Sequence, residues 1–164
     1  RKDIALVSSV AGKPKMGYVT KEIIADLESF LGYNNTHDAV LVGVGGLGKA
    51  FLGYGGFENY GLNIVAAFDN SERVVNTKIN GKPVYDVSKL KEIVERFNIQ
   101  IGIITVPSYA AQEVADRMVG AGIKAIWNFA SVHLNIPSNV ALKNEDLASS
   151  LALLSLQIQQ NRHD

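Results

Sequence analysis

The sequence predicts a doubly wound α/β domain built on a mostly parallel sheet, and three observations carry that expectation. Apolar, β-branched runs alternate with helical patterns from Ala39 onward, which is the signature of strand–helix–strand units with right-handed crossovers. The first run, Ala39–Val42, ends in Gly43, Gly45 and Gly48, a G-x-G-x-x-G directly after a strand. The second run, Leu62 to Phe68, ends in Asp69, roughly twenty residues past the last glycine, as a dinucleotide-binding fingerprint requires.

The N-terminal stretch is basic. Arg1, Lys2, Lys13, Lys15 and Lys21 face one acid, Asp3, within the first 21 positions. Arg1 to Val10 reads as the tail of a helix and Ala11–Gly17 as a basic turn. So short a segment cannot bury a core of its own. It is either a solvated basic arm or a piece of a phosphate-contacting module. Thr20 can cap a helix running to Leu31 and stopped by Gly32, with Ile23, Ile24, Leu27, Phe30 and Leu31 on one stripe. This helix reads as a connector, and Asn34 to Asp38 breaks it.

In the α/β region, strands are predicted at 39–44, 62–68, 99–106 and 123–128, with helices at 46–54, 88–97 and 108–120. Ser88 and Ser108 are the expected N-caps, and 82–86 and 140–143 are expected as short added strands. The run from Ile99 to Val106 is nearly continuous in β-branched residues, as a strand buried on both faces should be. Asn144 is the expected cap of a last helix, 145–160, in which no charged residue occurs between Asp146 and Arg162. Leu147, Leu151, Leu154 and Ile158 share a stripe, whereas Leu153 and Leu156 point elsewhere. A helix apolar on several sides must be covered on several sides. Exchange into a second subunit satisfies that, and a helix lying across its own domain is the alternative.

Composition bounds the function. The 164 residues are 47% hydrophobic and 20% charged with a formal net charge of zero, the profile of a globular protein with no global field to attract nucleic acid. No run approaches the ~20 apolar residues of a membrane span, and no signal-peptide pattern opens the chain. The absence of cysteine removes disulfides, thiolate metal sites and a cysteine nucleophile. A cytoplasmic protein without a metal is expected.

The glycine loop carries the chemistry. One glycine permits the tight turn, the next lets backbone approach a pyrophosphate, and the third lets helix pack on strand, so that phosphates meet the positive helix end. A carboxylate at Asp69 can accept from a ribose diol and would repel a 2′-phosphate, which favours NAD(H) over NADP(H). Gly43 to Lys49 also reads G-x-x-x-x-G-K, but Ala50 stands where a phosphate-loop triphosphatase needs a metal-holding hydroxyl. Ligands in such sheets sit at the carboxyl ends of the strands. The candidate cofactor residues are therefore Gly43, Gly45, Gly46, Leu47, Gly48, Asp69, Thr105, Val106, Pro107, Asn128 and Phe129. Turn chemistry is the competing explanation for the last two groups. His37, His133 and His163 have no acidic partner at an informative spacing, and a single helix follows the nucleotide domain. No catalytic residue is assigned, and a sensor is expected rather than an enzyme. The competing readings are a small NAD-dependent oxidoreductase, a CoA-binding ligase-type nucleotide domain, and a purely structural dimerisation domain.

Across nearly its whole length the chain resembles the Rex family of redox-sensing transcriptional repressors. The matching segments include Gly12-Lys-Pro-Lys-Met-Gly-Tyr18, Leu41 to Gly48, Tyr54 with Gly56-Phe57, Val65 to Asp69, Thr105-Val-Pro107, Trp127-Asn-Phe129 and Asn144-Glu-Asp-Leu147. The resemblance implies a homodimer that binds operator DNA through N-terminal winged-helix domains and releases it when NADH binds. Residues 1–17 would then be the end of a recognition helix and its wing, with Arg1, Lys2, Lys13 and Lys15 facing DNA. The earlier helices of that domain are missing from this sequence. Residues 18–33 would connect, 34–145 would form a Rossmann-like NADH/NAD+-binding domain, and 146–164 would be an exchanged dimerisation helix. Tyr54 and Asp146 would belong to a polar switch coupling cofactor pocket to DNA-binding domain.

Overall fold

The computed structural model describes residues 37–146 and Ser149. Everything expected of residues 1–36, including the basic segment, the connector and the four DNA-facing residues, lies outside them, as does most of the last helix. The described residues divide into two compact units. In the first, a 3-10 turn spans Gly55–Tyr60, and the Gly61 carbonyl accepts from the His37 N–H at 2.7 Å.

The sheet lies mostly in the second unit. Its strands are β1 (His37–Val42), β2 (Leu62–Asp69), β3 (Lys78–Ile79), β4 (Lys82–Asp86), β5 (Ile101–Ile104), β6 (Ala125–Asn128) and β7 (Ala141–Asn144). They lie in the order β3-β4-β2-β1-β5-β6-β7. Parallel pairing sets Ala39 opposite Ile101, Ile101 opposite Ala125, Ala125 opposite Ala141 and Ala67 opposite Val84. Among the described residues, β3 runs antiparallel to β4. The hairpin turns on Asn80 and Gly81, both at positive φ, the backbone that matches strand twist in a two-residue turn. Three helices complete the described part: α1 (Gly46–Gly53), α2 (Leu90–Phe97) and α3 (Ser108–Gly120).

Central position explains the composition of β1. Ala39, Val40 and Leu41 are fully buried and Val42 nearly so, because a strand between two parallel neighbours has helices or chain over both faces. Phe68, Leu90, Val94, Ile104, Ala115 and Met118 belong to the same core cluster. Gly102 gives α3 room to approach, since a Cβ there would lie 2.5 Å from the Met118 sulfur.

Several boundaries differ from expectation. The first strand ends at Val42 because Gly43 takes φ +106, and the predicted 99–106 strand is confined to 101–104. Ser88 caps nothing. The Asp86 carboxylate accepts from the Ser88 N–H at 2.9 Å, a 3-10 turn follows over Val87–Lys89, and the α-helix starts at Leu90. Hydrogen bonds from Ser88, side chain first and then backbone, hold the Asp86 carboxyl below its ordinary value. Ser108 is the first helical residue, and the cap position falls to Pro107, with no side-chain bond. Nor does a helix begin at Glu145, which is irregular together with Asp146. The Asp146 carboxylate instead accepts from the Ser149 N–H at 3.0 Å and from its hydroxyl, at the spacing of an N-cap.

Candidate functional site

Two of the loop glycines are demanded by the protein itself. A Cβ on Gly48 would sit 2.0 Å from the Gly43 oxygen, and one on Gly43 would sit 2.7 Å from the Thr105 carbonyl carbon. The loop is also tied to the exit of β5, where the Thr105 hydroxyl donates to the Gly43 carbonyl at 2.7 Å. Gly45 and Gly46 are different: a Cβ on either would meet nothing within 4 Å. Internal packing gives no reason for glycine there. Both are exposed at the start of α1, whose first N–H groups have no partner within the helix. Space and donors together suit a phosphate group brought against the backbone.

Asp69 ends β2 beside this loop. One carboxylate oxygen accepts from the Val44 N–H at 2.7 Å and the other from the Ser71 N–H at 2.8 Å. Those bonds fix the carboxylate and consume one acceptor position on each oxygen. An ionised carboxylate offers about four, so both oxygens can still take a hydroxyl donor. That is the requirement for gripping a ribose diol, and its charge opposes any phosphate placed on that diol.

Between the two features lies a cavity of about 560 Å³. Six of the predicted residues line it: Gly43, Gly45, Asp69, Thr105, Val106 and Pro107. The sequence reading missed the opposite wall, formed by Val87 and, on α3, by Tyr109, Ala110, Glu113, Val114 and Arg117. The α3 residues recur at i, i+1, i+4, i+5 and i+8, one helical face, and that spacing was the available signal. Val87, Ala110 and Val114 make an apolar slot. The Arg117 guanidinium donates to Glu113 through Nη2 at 2.9 Å and Nε at 3.1 Å at its rim. Adenosine diphosphate chemistry fits this set: glycine backbone for phosphate, carboxylate for ribose, slot for a flat base.

The other predicted residues stand elsewhere. Gly46, Leu47 and Gly48 do not line the cavity, and Gly48 serves the close approach of helix and loop. Asn128 is fully buried. Its amide donates to the Ala130 carbonyl at 3.2 Å, the Val132 carbonyl at 3.1 Å and Asn144 Oδ1 at 2.9 Å. Its own oxygen accepts from the Ala130 N–H at 3.0 Å. Phe129 belongs to an aromatic group, 4.8 Å from Phe51 and 4.7 Å from Trp127 between ring centres. The Trp127 indole N–H donates to Glu145 at 3.2 Å. Tyr54 follows α1 at its C-cap, 56% exposed. His133 is exposed. Among the described residues no group of three or more potential metal ligands occurs, and no helix is long and apolar enough to cross a membrane.

Comparison with known proteins agrees with this geometry. The family described as "CoA binding domain" matches residues 34–132. The redox-sensing transcriptional repressor Rex of Treponema denticola is 42% identical over 158 residues, covering 96% of this chain and 75% of that protein. The crystal structure of RSP, a Rex-family repressor, in complex with β-NAD+ and operator DNA superposes with a TM-score of 0.83 at 37% identity, over 92% of this chain and 70% of that one. RSP in complex with β-NADH superposes with a TM-score of 0.80 at 38% identity, over 89% and 71%. Similarity at this level over most of both lengths places the chain in the Rex family of redox-sensing transcriptional repressors.

Proposed function

We propose that this chain binds NADH and NAD+ in the crevice at the strand ends and represses transcription by holding operator DNA until NADH binds. The observation that carries the cofactor assignment is the Asp69 carboxylate, fixed by the Val44 and Ser71 amides with acceptor capacity to spare. Gly43 to Gly48 would face the diphosphate, while Thr105, Val106 and Pro107 would form the shared wall. Asn128, whose amide is engaged internally, would act by positioning Phe129 rather than by touching the cofactor. The domain boundaries follow the same reading: 1–17 the end of a winged-helix domain with Arg1, Lys2, Lys13 and Lys15 toward DNA, 18–33 a connector, 34–145 the nucleotide domain, 146–164 the dimerisation helix. Tyr54 and Asp146 would form the switch in a cytoplasmic homodimer.

Regulation then needs differential binding. NADH must prefer the DNA-released arrangement, with coupling of the usual ~1–3 kcal/mol. An apolar surround near Phe129 and Tyr54 would favour the reduced ring, because desolvating the cationic oxidised ring costs more. Calorimetric titration of the protein with each form checks this. NADH is expected to bind more tightly, and equal affinities would overturn the redox reading. The match to a CoA-binding family favours one competing ligand. CoA carries a phosphate on its ribose, which Asp69 opposes, so CoA is expected to compete with NADH only weakly.

A further inference from the structure

We propose that the cavity between Asp69 and α3 is a self-sufficient site for adenosine 5′-diphosphate groups, so that ADP and ADP-ribose compete with NADH there without supplying a redox signal. This rests on the cofactor site proposed above and divides it in two. Every group needed for the adenylate half lines this one cavity. Gly45 supplies open backbone, Asp69 the diol acceptor, and Val87, Ala110 and Val114 the apolar slot. All of these belong to a single compact unit.

The groups expected to report the state of the nicotinamide ring do not line that cavity. Phe129 is packed against Phe51 and Trp127, and the Asn128 amide is engaged with Ala130, Val132 and Asn144. Affinity for the adenylate half is therefore built from contacts indifferent to ring oxidation. A ligand lacking the ring has nothing with which to prefer one arrangement of the repressor over the other, and such a ligand shifts no equilibrium however well it binds. It blocks instead. The concentration of NADH needed for DNA release would rise as one plus the ratio of adenylate concentration to its dissociation constant. The redox response is thereby set against the supply of free adenylates. The same geometry defines the class: Asp69 admits nucleotides with a free ribose diol and excludes those bearing a phosphate on it.

Competition against NADH tests this, followed by the fluorescence of the bound dihydronicotinamide, with operator DNA retention measured in parallel. ADP-ribose is expected to displace NADH with affinity within about tenfold of NAD+, a difference of no more than ~1.4 kcal/mol. ADP is expected to follow, 2′-phospho-ADP-ribose to be at least about tenfold weaker on the cost of opposing charges, and GDP weaker as well. At fixed NADH, added ADP-ribose should restore DNA binding. Asp69→Asn should weaken NADH and ADP-ribose by the same factor. If NADH binds and millimolar ADP-ribose does not displace it, the proposal is overturned while the repressor reading stands. If ADP-ribose alone releases DNA as NADH does, the claim that it is redox-silent fails. If direct calorimetry shows ADP-ribose binding but no NADH binding, the adenylate site survives and the cofactor reading falls.

Discussion

Two strand ends in the same sheet present short polar side chains, and they do opposite things. Asp69 closes β2 with each carboxylate oxygen holding one backbone amide, and it lines the cavity. Asn128 closes β6 fully buried, donating to three acceptors and accepting from the Ala130 N–H. Both positions are where ligands gather in a doubly wound sheet. Location nominates a residue, but unspent hydrogen-bonding capacity is what qualifies it. The Asn128 amide has two N–H groups facing three acceptors, so its donors are engaged in holding the exit of β6 together.

The glycines draw the same contrast inside one loop, and they give the largest expected effect. Gly48→Ala places a methyl 2.0 Å from the Gly43 oxygen, so helix or loop must move. Overpacking of this severity is expected to cost about 3 kcal/mol of stability and to abolish nucleotide binding. Gly45→Ala meets no atom within 4 Å. Its thermal midpoint is expected to be nearly unchanged while NADH affinity falls by about tenfold or more, because only a bound phosphate would contact the new methyl. Urea melts and calorimetry on the pair decide it. A stable Gly45 variant with full affinity would remove the diphosphate from this loop.

Next in size is the buried amide. Asn128→Ala strips partners from Ala130, Val132 and Asn144 at once, and orphaned buried polar groups cost ~1–3 kcal/mol each. A loss of about 2–3 kcal/mol in urea unfolding is expected, with displacement of NADH by ADP-ribose unchanged in rank. Were Asn128→Ala to keep its stability and lose only NADH, the comparison between the two strand ends would be reversed.

The same contrast explains what the sequence disclosed. The sheet was legible because Ala39–Val42 and Ile101–Ile104 are unbroken apolar runs, which central parallel strands require. Gly43 and Gly48 were legible because motif and sterics coincide. The two-residue β3 was missed, since Lys78–Ile79 is too short to show a period, although Asn80-Gly81 is a strong hairpin signal. One cap moved by two residues because the Asp86 carboxylate takes the Ser88 N–H, and the other moved by one, to Pro107. The α3 wall went unread because only the strand ends were searched for ligand contacts, whereas Val114 belongs both to the core cluster and to the cavity lining. Most telling, the bond from Val44 to Asp69 joins residues 25 positions apart, and no local pattern encodes which amide a carboxylate will find.

Asp69→Asn is the third test. An asparagine has one oxygen where the carboxylate has two, so the Val44 or the Ser71 N–H is left facing an amide N–H₂. Stability is expected to drop by about 1 kcal/mol. NADH affinity is expected to fall by about tenfold as a charge-assisted bond becomes neutral. The penalty against a 2′-phosphate should shrink with the charge, so the ratio of NADPH to NADH affinity is expected to rise. Measuring both ligands on both proteins separates a loss of grip from a loss of selectivity, and an unchanged ratio would mean that Asp69 does not meet the ribose.

Tyr109 should give the smallest effect, and it sharpens the division most. It stands in the first turn of α3, lines the cavity and is 90% exposed, so truncation removes almost no buried surface. Tyr109→Ala is expected to leave the urea midpoint unchanged. For ligands, a ring at the cavity mouth can add one loose aromatic contact, and such contacts are worth ~0.5–1.5 kcal/mol. The low end applies to a ring this free, which predicts about a threefold loss. The loss should be equal for NADH, NAD+ and ADP-ribose, because Tyr109 shares a wall with Val87 and Val114 rather than with Phe129. A loss confined to NADH would bring Tyr109 to the nicotinamide and merge the two halves of the site, whereas an equal loss across the three ligands keeps recognition of the adenylate apart from recognition of the redox state.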